Sequence, residues 1–254
     1  MTTSPNTASN TDFLLAIEDL TVSFDGFKAV NELNLYVDRE EIRVIIGPNG
    51  AGKTTVLDLI CGKTRATSGS IRFHNRELTR LAEHEIVWAG VGRKFQNPTI
   101  YENLTVAENL VVSYPKGRSV FGSLGFRQDI AVRTRVEEVA EAVFLRDRLD
   151  DMAGILSHGQ KQWLEIGMLL IQEPELIMLD EPVAGMSVRE RQQTGELLAR
   201  ICQGRSMLII EHDMDFVRSI AHKVTVMHQG KILVEGSMDK VHDDPRVKEV
   251  YLGH

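Results

Sequence analysis

The chain has 254 residues, 43% hydrophobic and 26% charged, with a formal charge of -7 and a pI near 5.7. This suits one large domain or two small ones with a sizeable core, and it argues against a nucleic-acid binder that works by bulk electrostatics. Two distant cysteines, Cys61 and Cys202, argue against a disulfide framework and fit a reducing cytoplasm.

The N-terminal "MTTSPNTASNTD" is polar and lacks the apolar centre of a signal peptide, so residues 1–12 are expected to be a disordered leader. "LLAIEDLTVSF" and "AVNELNLYVD" alternate enough to predict strands, and "EIRVIIG" is a short apolar run ending in glycine, as expected of a buried strand. "GKTTVLDLICG" reads as a helix closed by Gly62, and "SGSIRFHNREL" as a strand pair. From about Thr105 to Gln172 the pattern turns helical: "VAENLVVSY", "IAVRTRVEEVAEAVFL" and "GQKQWLEIGMLLIQ" each space their apolar residues near 3.6. "PKGRSVFGSLGF" between the first two reads as a flexible insert. "ELIMLDE", "SVRERQQTGELLARICQ", "SMLIIEHD", "MDFVRSIA", "KVTVMHQ" and "KILVEG" then alternate strand and helix before a closing strand pair. Such alternation implies an α/β core with a mainly parallel sheet covered by helices, here interrupted by a helical block. No apolar run reaches the roughly 18 residues of a transmembrane helix.

"GPNGAGKT", from Gly47 to Thr54, fits the G-x-x-x-x-G-K-[ST] pattern with a strand before it and a helix after it. Glycines let backbone N–H groups turn toward phosphate oxygens, and the following helix adds its positive N-terminal dipole. Lys53 supplies a point charge for β- and γ-phosphates, and the Thr54 hydroxyl is a ligand for Mg²⁺. The bland alternative is a chance glycine-rich turn, which the flanking strand and helix disfavour. "LIMLDE" puts Asp180 and Glu181 at the C-terminal end of a buried strand, the edge where α/β sheets bind ligands. Asp180 is expected to orient Mg²⁺ or its water, and Glu181 to polarise the water that attacks the γ-phosphate. Taken alone, two acids at a strand end are common; the phosphate loop upstream gives them a task. Gln96 and His212 also follow predicted strands. Gln96 is a candidate for reaching Mg²⁺ or the attacking water, and His212 for donating to the γ-phosphate as a sensor more than as a base.

Taken together, "GPNGAGKTT", Gln96, "LSHGQ", "LIMLDE" and His212 resemble the nucleotide-binding subunit of ABC transporters, from about Leu15 to the end of the chain. The resemblance implies a single P-loop cassette over 13–254. It combines a mainly parallel core, an antiparallel β subdomain, and a helical subdomain inserted at about 97–172. It implies an ATPase that uses ATP and Mg²⁺, with Gly47, Pro48, Asn49, Gly50, Ala51, Gly52, Lys53, Thr54 and Thr55 around the phosphates. Phe24 matches the aromatic that stacks on adenine, where the family more often has tyrosine. Ser157, His158, Gly159 and Gln160 match the signature loop, which closes on the ATP of an opposing subunit; a plain helix N-cap at Ser157 is the bland reading. Gln96 matches the loop that joins the core to the helical block. The expected partners are transmembrane permease subunits, a second cassette (a paralogue or another copy) and, indirectly, a periplasmic or extracellular binding protein. Nucleic acid is not expected, and the implied location is the cytoplasmic face of the membrane.

"GVGRKFQNP", "EPVAGM", "IEHDM" and "VYLG" resemble the branched-chain amino acid and amide branch, and "LSHGQKQWLEIGMLL" with "EGSMDKVHDDPRVKEVYLG" resembles urea importers most. Urea is thus the expected cargo, with branched-chain amino acids or short amides as the alternative. One departure stands out: Pro182 to Met186, "PVAGM", lacks the aspartate that the family usually has after Glu181. Pro98, Ile100 and Tyr101 are candidates for receiving a partner's helix, unless they pack internally. His158 has no companions for a metal, and a base there would duplicate Glu181. It is expected to be a side chain that the helix start tolerates, replaceable by glycine with most activity kept. Two other classes fit less well. A non-transport cassette acting on nucleic acid or ribosomes usually has two cassettes or long coiled-coil insertions. A regulatory GTPase would need an N/T-K-x-D motif.

Overall fold

The computed structural model describes residues 13–94, 100–115 and 130–252. The leader 1–12, Gln96, Pro98 and nearly all of the predicted flexible insert lie outside them. Strands β1 (Leu15–Phe24), β2 (Phe27–Val37), β4 (Ser68–Phe73) and β5 (Arg76–Glu77) form an antiparallel sheet in the order β2-β1-β4-β5. A second sheet orders β10 (Lys231–Gly236), β9 (Lys223–His228), β3 (Ile42–Ile46), β8 (Ser206–Ile210), β7 (Leu176–Asp180) and β6 (Val91–Arg93). All its neighbours are parallel except the β9–β10 pair.

The central strands explain their unbroken apolar runs. Ile42, Val44 and Ile46 of β3 join one core cluster while Ile45 joins the other. The same division splits Ile177 and Leu179 from Met178 on β7, and Met207 and Ile209 from Leu208 and Ile210 on β8. Strands covered on both faces have no solvent side on which to place polar residues. One cover is the antiparallel sheet with α1 (Lys53–Ile60); the other is built from helices.

Between β6 and β7 the described residues contain α3 (Val106–Ser113), α4 (Ile130–Ala142) and α5 (His158–Leu170). The apolar spacing predicts that the second of these runs to Leu145; it stops at Ala142, and Phe144 takes a left-handed φ of 60°. Asn109, fully buried, organises the segment before α3: its side chain accepts from Tyr101 N at 2.7 Å and donates to the Tyr101 and Thr105 carbonyls. Ile100 packs against the core and Tyr101 is half exposed, so the two described members of the expected partner-facing trio are divided between inside and outside. Helices α6 (Val188–Ile201) and α7 (Met214–Ile220) flank the later strands as predicted. Three helices had no sequence expectation: α2 (Glu83–Trp88), α8 (Met238–Asp243) and α9 (Pro245–Leu252). The first two bury one residue each, Ile86 and Val241, so no apolar stripe at 3.6-residue spacing marks them in the sequence.

Candidate functional site

Strand register brings the candidate residues to one edge. Ile45 pairs with Ile210, and Ile210 with Asp180, so β3, β8 and β7 end in one row. Just beyond that row lie Gly47, Glu211 and Glu181.

The loop Gly47–Gly52 links β3 to α1, and two of its glycines are required by close approach. A Cβ on Gly47 would stand 2.2 Å from the Met227 carbonyl oxygen. One on Gly52, at φ +97°, would stand 2.4 Å from that of Ala29. The loop is therefore pressed between β9 and β2. Gly230 N also donates to Ala51 O at 3.0 Å. Lys53 Nζ donates to the carbonyls of Gly47 (2.8 Å) and Pro48 (3.0 Å), which holds its charge over the loop. Burial pushes the Lys53 ammonium below its ordinary pKa, and the carboxylates of Glu181 and Asp180 oppose that shift.

Thr54 Oγ1 donates to Asp180 Oδ2 at 3.1 Å. Asp180 is 3% exposed, and its Oδ1 is buried with no protein hydrogen-bond partner. Burial raises the Asp180 carboxyl, offset by the Thr54 hydroxyl and by Arg93. A buried carboxylate oxygen with a free lone pair beside a hydroxyl is the oxygen-donor set that Mg²⁺ takes, since the ion keeps waters and binds one or two carboxylates. The Thr54 and Asp180 pair therefore fits the expected ion.

Glu181 adopts a left-handed φ of 50°, rare for a residue other than glycine and a strain that functional sites retain. Its N–H donates to Ile210 O at 2.9 Å, and its Oε1 lies 3.3 Å from His212 Nδ1. A pocket of about 210 Å³ is lined by Asn49, Gly50, Ala51, Gly52, Lys53, Thr54, Thr55, Asp180, Glu181 and Ile210. A larger groove of about 490 Å³ between α6 and α7 contains no phosphate-loop residue, so chemistry and not size identifies the site.

Phe24, half exposed, ends β1 opposite Phe27, which is more exposed still. Ala29, two residues along β2 from Phe27, is the residue that Gly52 abuts, so the hairpin tip stands beside the phosphate loop. Phe27 is an aromatic candidate that the sequence reading passed over.

Ser157 to Gln160 line none of this pocket. They form the start of α5, with a reciprocal cap: Ser157 Oγ accepts from Gln160 N at 3.3 Å, and Gln160 Oε1 accepts from Ser157 N at 3.0 Å. Gly159 is closely approached by Glu190 of α6, whose Oε1 would be 2.3 Å from an added Cβ. His158 Nε2 lies 3.0 Å from Ala184 O. Its side chain thus has a partner inside its own chain, a contact that replacement by glycine would remove and that the expectation of a merely tolerated side chain did not include.

The sequence reading also missed Glu211. It is 1% exposed and accepts from the N–H groups of Val183 (3.3 Å), His212 (2.9 Å) and Asp213 (3.3 Å). One carboxylate therefore ties the segment after Glu181 to the turn that presents His212. An acid that directly continues the apolar run "MLII" was the available signal.

A family model described as ABC transporter matches residues 30–184. The high-affinity branched-chain amino acid transport ATP-binding protein BraF of Pseudomonas aeruginosa is 35% identical over 249 residues, covering 94% of this chain and 98% of that protein. The probable branched-chain amino acid transport ATP-binding protein LivG of Archaeoglobus fulgidus is 33% identical, with 94% and 95% covered. Among solved structures, a nucleotide-free ATP-binding cassette of an ABC transporter superimposes with a TM-score of 0.85 at 31% identity, covering 95% of this chain and 100% of that one. The ADP conformation of an ATP-binding cassette of an ABC transporter gives 0.84 at 32% identity, with 95% and 99% covered.

Proposed function

The chain belongs to the ABC transporter family of ATP-binding cassettes, ATPases whose hydrolysis powers transport, and on that premise we propose that it drives an importer of branched-chain amino acids. The observation that carries the ATP-site reading is the convergence of the phosphate loop, the Thr54–Asp180 contact and the Glu181–His212 contact at one sheet edge. The cargo rests on the relatives, which are named for branched-chain amino acids. Urea, the first expectation from the sequence resemblance, has no such support among them and stands second.

In this reading the N–H groups of Gly47–Gly52 and the N-terminus of α1 bind phosphate oxygens, and Lys53 turns its ammonium from the Gly47 and Pro48 carbonyls to the β/γ-phosphates. Thr54 and Asp180 hold Mg²⁺, which supplies charge neutralisation on the phosphate oxygens when bound. Glu181 orients and polarises the attacking water, and His212, in contact with it, donates to the γ-phosphate. Phe24 and its neighbour Phe27 offer the adenine platform. Gln96, outside the described residues, is assigned by the family resemblance alone to the loop between core and helical block, as a group for Mg²⁺ or the attacking water. Ser157, Gly159 and Gln160 face the ATP of an opposing cassette: the cap occupies the N–H groups of Ser157 and Gln160, and the first-turn N–H groups of His158 and Gly159, with the positive end of α5, are the donors away from its own chain's pocket. Permease subunits complete the machine. No helix among the described residues is long and apolar enough to cross a membrane, so the pathway itself lies in those partners.

Glu181→Gln is expected to bind ATP with near wild-type affinity and to turn it over at least a hundredfold more slowly, of the order lost when general-base catalysis is removed. Lys53→Ala is expected to lose affinity itself. Nucleotide titration and phosphate release on the two variants test the site; wild-type turnover by Glu181→Gln would remove it from the mechanism. Uptake of labelled leucine against labelled urea in a deletion strain tests the cargo. Loss of urea uptake alone would make urea the cargo in place of branched-chain amino acids.

A further inference from the structure

The segment from Glu181 to Met186 is held at both ends and bare in the middle. Val183 and Met186 are buried, Val183 N donates to Glu211, and Thr194 Oγ1 lies 3.3 Å from Met186 Sδ. Within the segment, Ala184 N donates to Glu181 O at 3.2 Å and Met186 N to Val183 O at 3.1 Å. Ala184 and Gly185, between the anchors, have no side chain long enough to reach a neighbour. His158 supplies the reach from the other side. Its Nε2 lies 3.0 Å from Ala184 O. A carbonyl oxygen only accepts, so Nε2 carries the proton, in the neutral imidazole and the imidazolium alike. A Cβ on Gly185, at φ +73°, would stand 3.1 Å from Nε2 and 3.2 Å from Cδ2, so the imidazole contacts the apex of the segment directly. On its other side the start of α5 is crowded by Glu190, whose carboxylate is itself held by Ser187 N and Oγ at 2.9 and 2.7 Å.

We propose that His158 is a positioning residue for ATP hydrolysis: by donating to the Ala184 carbonyl it fastens the segment that begins at Glu181 to the helix start that carries Ser157 and Gly159. This rests on the reading of Glu181 as the carboxylate that orients water. Glu181 keeps a left-handed backbone, a conformation that persists only where its surroundings restrain it from several sides. Its own N–H is fixed by Ile210 O, its carboxylate by His212, and the chain that follows by Glu211 and His158. Removing the imidazole frees Ala184 and Gly185 and loosens the backbone on which Glu181 sits. His158 is not among the residues that line the pocket at the phosphate loop, so the affinity of the chain's own site for nucleotide is unaffected while the hydrolytic geometry relaxes. The same tie makes a mechanical link between the signature segment and the water-orienting carboxylate of one chain.

The test compares the full-length wild type with His158→Ala and with His158→Gln, whose side-chain amide can still donate to Ala184. Hydrogen–deuterium exchange of peptides spanning 181–187, ATP affinity and steady-state turnover are measured on each. In His158→Ala those amides are expected to exchange roughly three- to tenfold faster, the change that one net hydrogen bond allows. Turnover falls by a similar factor, while ATP affinity and exchange across 176–180 stay at wild-type values. His158→Gln restores both exchange and turnover. Wild-type exchange in His158→Ala overturns the proposal, and so does faster exchange with undiminished turnover. Wild-type turnover by Glu181→Gln overturns it by another route, because the carboxylate to be positioned would then have no role, even where exchange shows the tie intact.

Discussion

Glu211 and His212 are chain neighbours with opposite surroundings: the carboxylate is 1% exposed, while 66% of the imidazole side chain is open. Burial pushes the Glu211 carboxyl up, and three backbone N–H groups pull against that. Cys202 shows burial without such compensation. Its thiol donates to Glu40 O at 3.2 Å, and burial, with the charges of Glu40 and Glu41, pushes its pKa from 9.0 up to about 11. The thiolate is the reactive form, so in native buffer at pH 8 Cys202 should alkylate at least about tenfold more slowly than in the unfolded chain. Peptide mapping after iodoacetamide treatment checks this; equal labelling in the two states would show that the thiol is not shielded. The sign of the linkage follows: a thiol raised in the folded state favours folding fully below pH 9, and that contribution is lost as pH climbs toward 11.

Among the elements, β3 shows how far a pattern reading reaches. "EIRVIIG" predicts a buried strand, and the strand is buried at every position, but Arg43 lies inside it with no exposed surface. Its guanidinium donates to Glu41 (2.6 Å), Thr225 (3.1 Å), Glu235 (2.9 Å) and Tyr36 O (2.6 Å), joining β3 to β2, β9 and β10. Arg43→Ala leaves the buried Glu41 carboxylate and the Tyr36 carbonyl without this donor, so it should destabilise by about 3 kcal/mol, the low end for breaking a buried pair because Glu235 is partly exposed. Urea unfolding checks this; a loss under about 1 kcal/mol, or an altered m-value, would contradict it. A second buried pair, Lys94 with Glu165 at 3.1 Å, joins the residue after β6 to α5, and so holds the helical block to the core. Glu41 lies only two positions from Arg43, but the contacts of Arg43 with Thr225 and Glu235 and the Lys94–Glu165 pair were not legible in the sequence, because sheet order and helix packing bring those partners together.

At the scale of the whole molecule, one chain carries the pocket proposed for ATP and, away from it, the start of α5, proposed to meet the phosphates of an opposing cassette. On the proposed reading, closure of two such chains needs ATP in both, and ADP lacks the γ-phosphate that the second site would grip. Light scattering should find the purified chain mostly monomeric without nucleotide and with ADP, and Glu181→Gln dimeric with ATP and Mg²⁺; a tight nucleotide-free dimer would contradict an ATP-driven clamp. If the opposing cassette is a paralogue, the ATP-bound dimer forms fully only when that chain is added. By itself the sequence determined the strand–loop–helix that presents the phosphate loop, the acids after the apolar run of β7, and the class of fold. Those signals are local: glycine spacing, apolar runs and helix periodicity act over a dozen residues or fewer. Only the tertiary structure decided that Thr54 meets Asp180 across 126 positions, that Glu211 binds Val183, and that His158 reaches Ala184. Those pairings depend on sheet order and on how α5 lies against the loop after β7, and a hydrogen bond between residues that far apart, whether to a side chain or to the backbone, leaves no periodic trace in the chain.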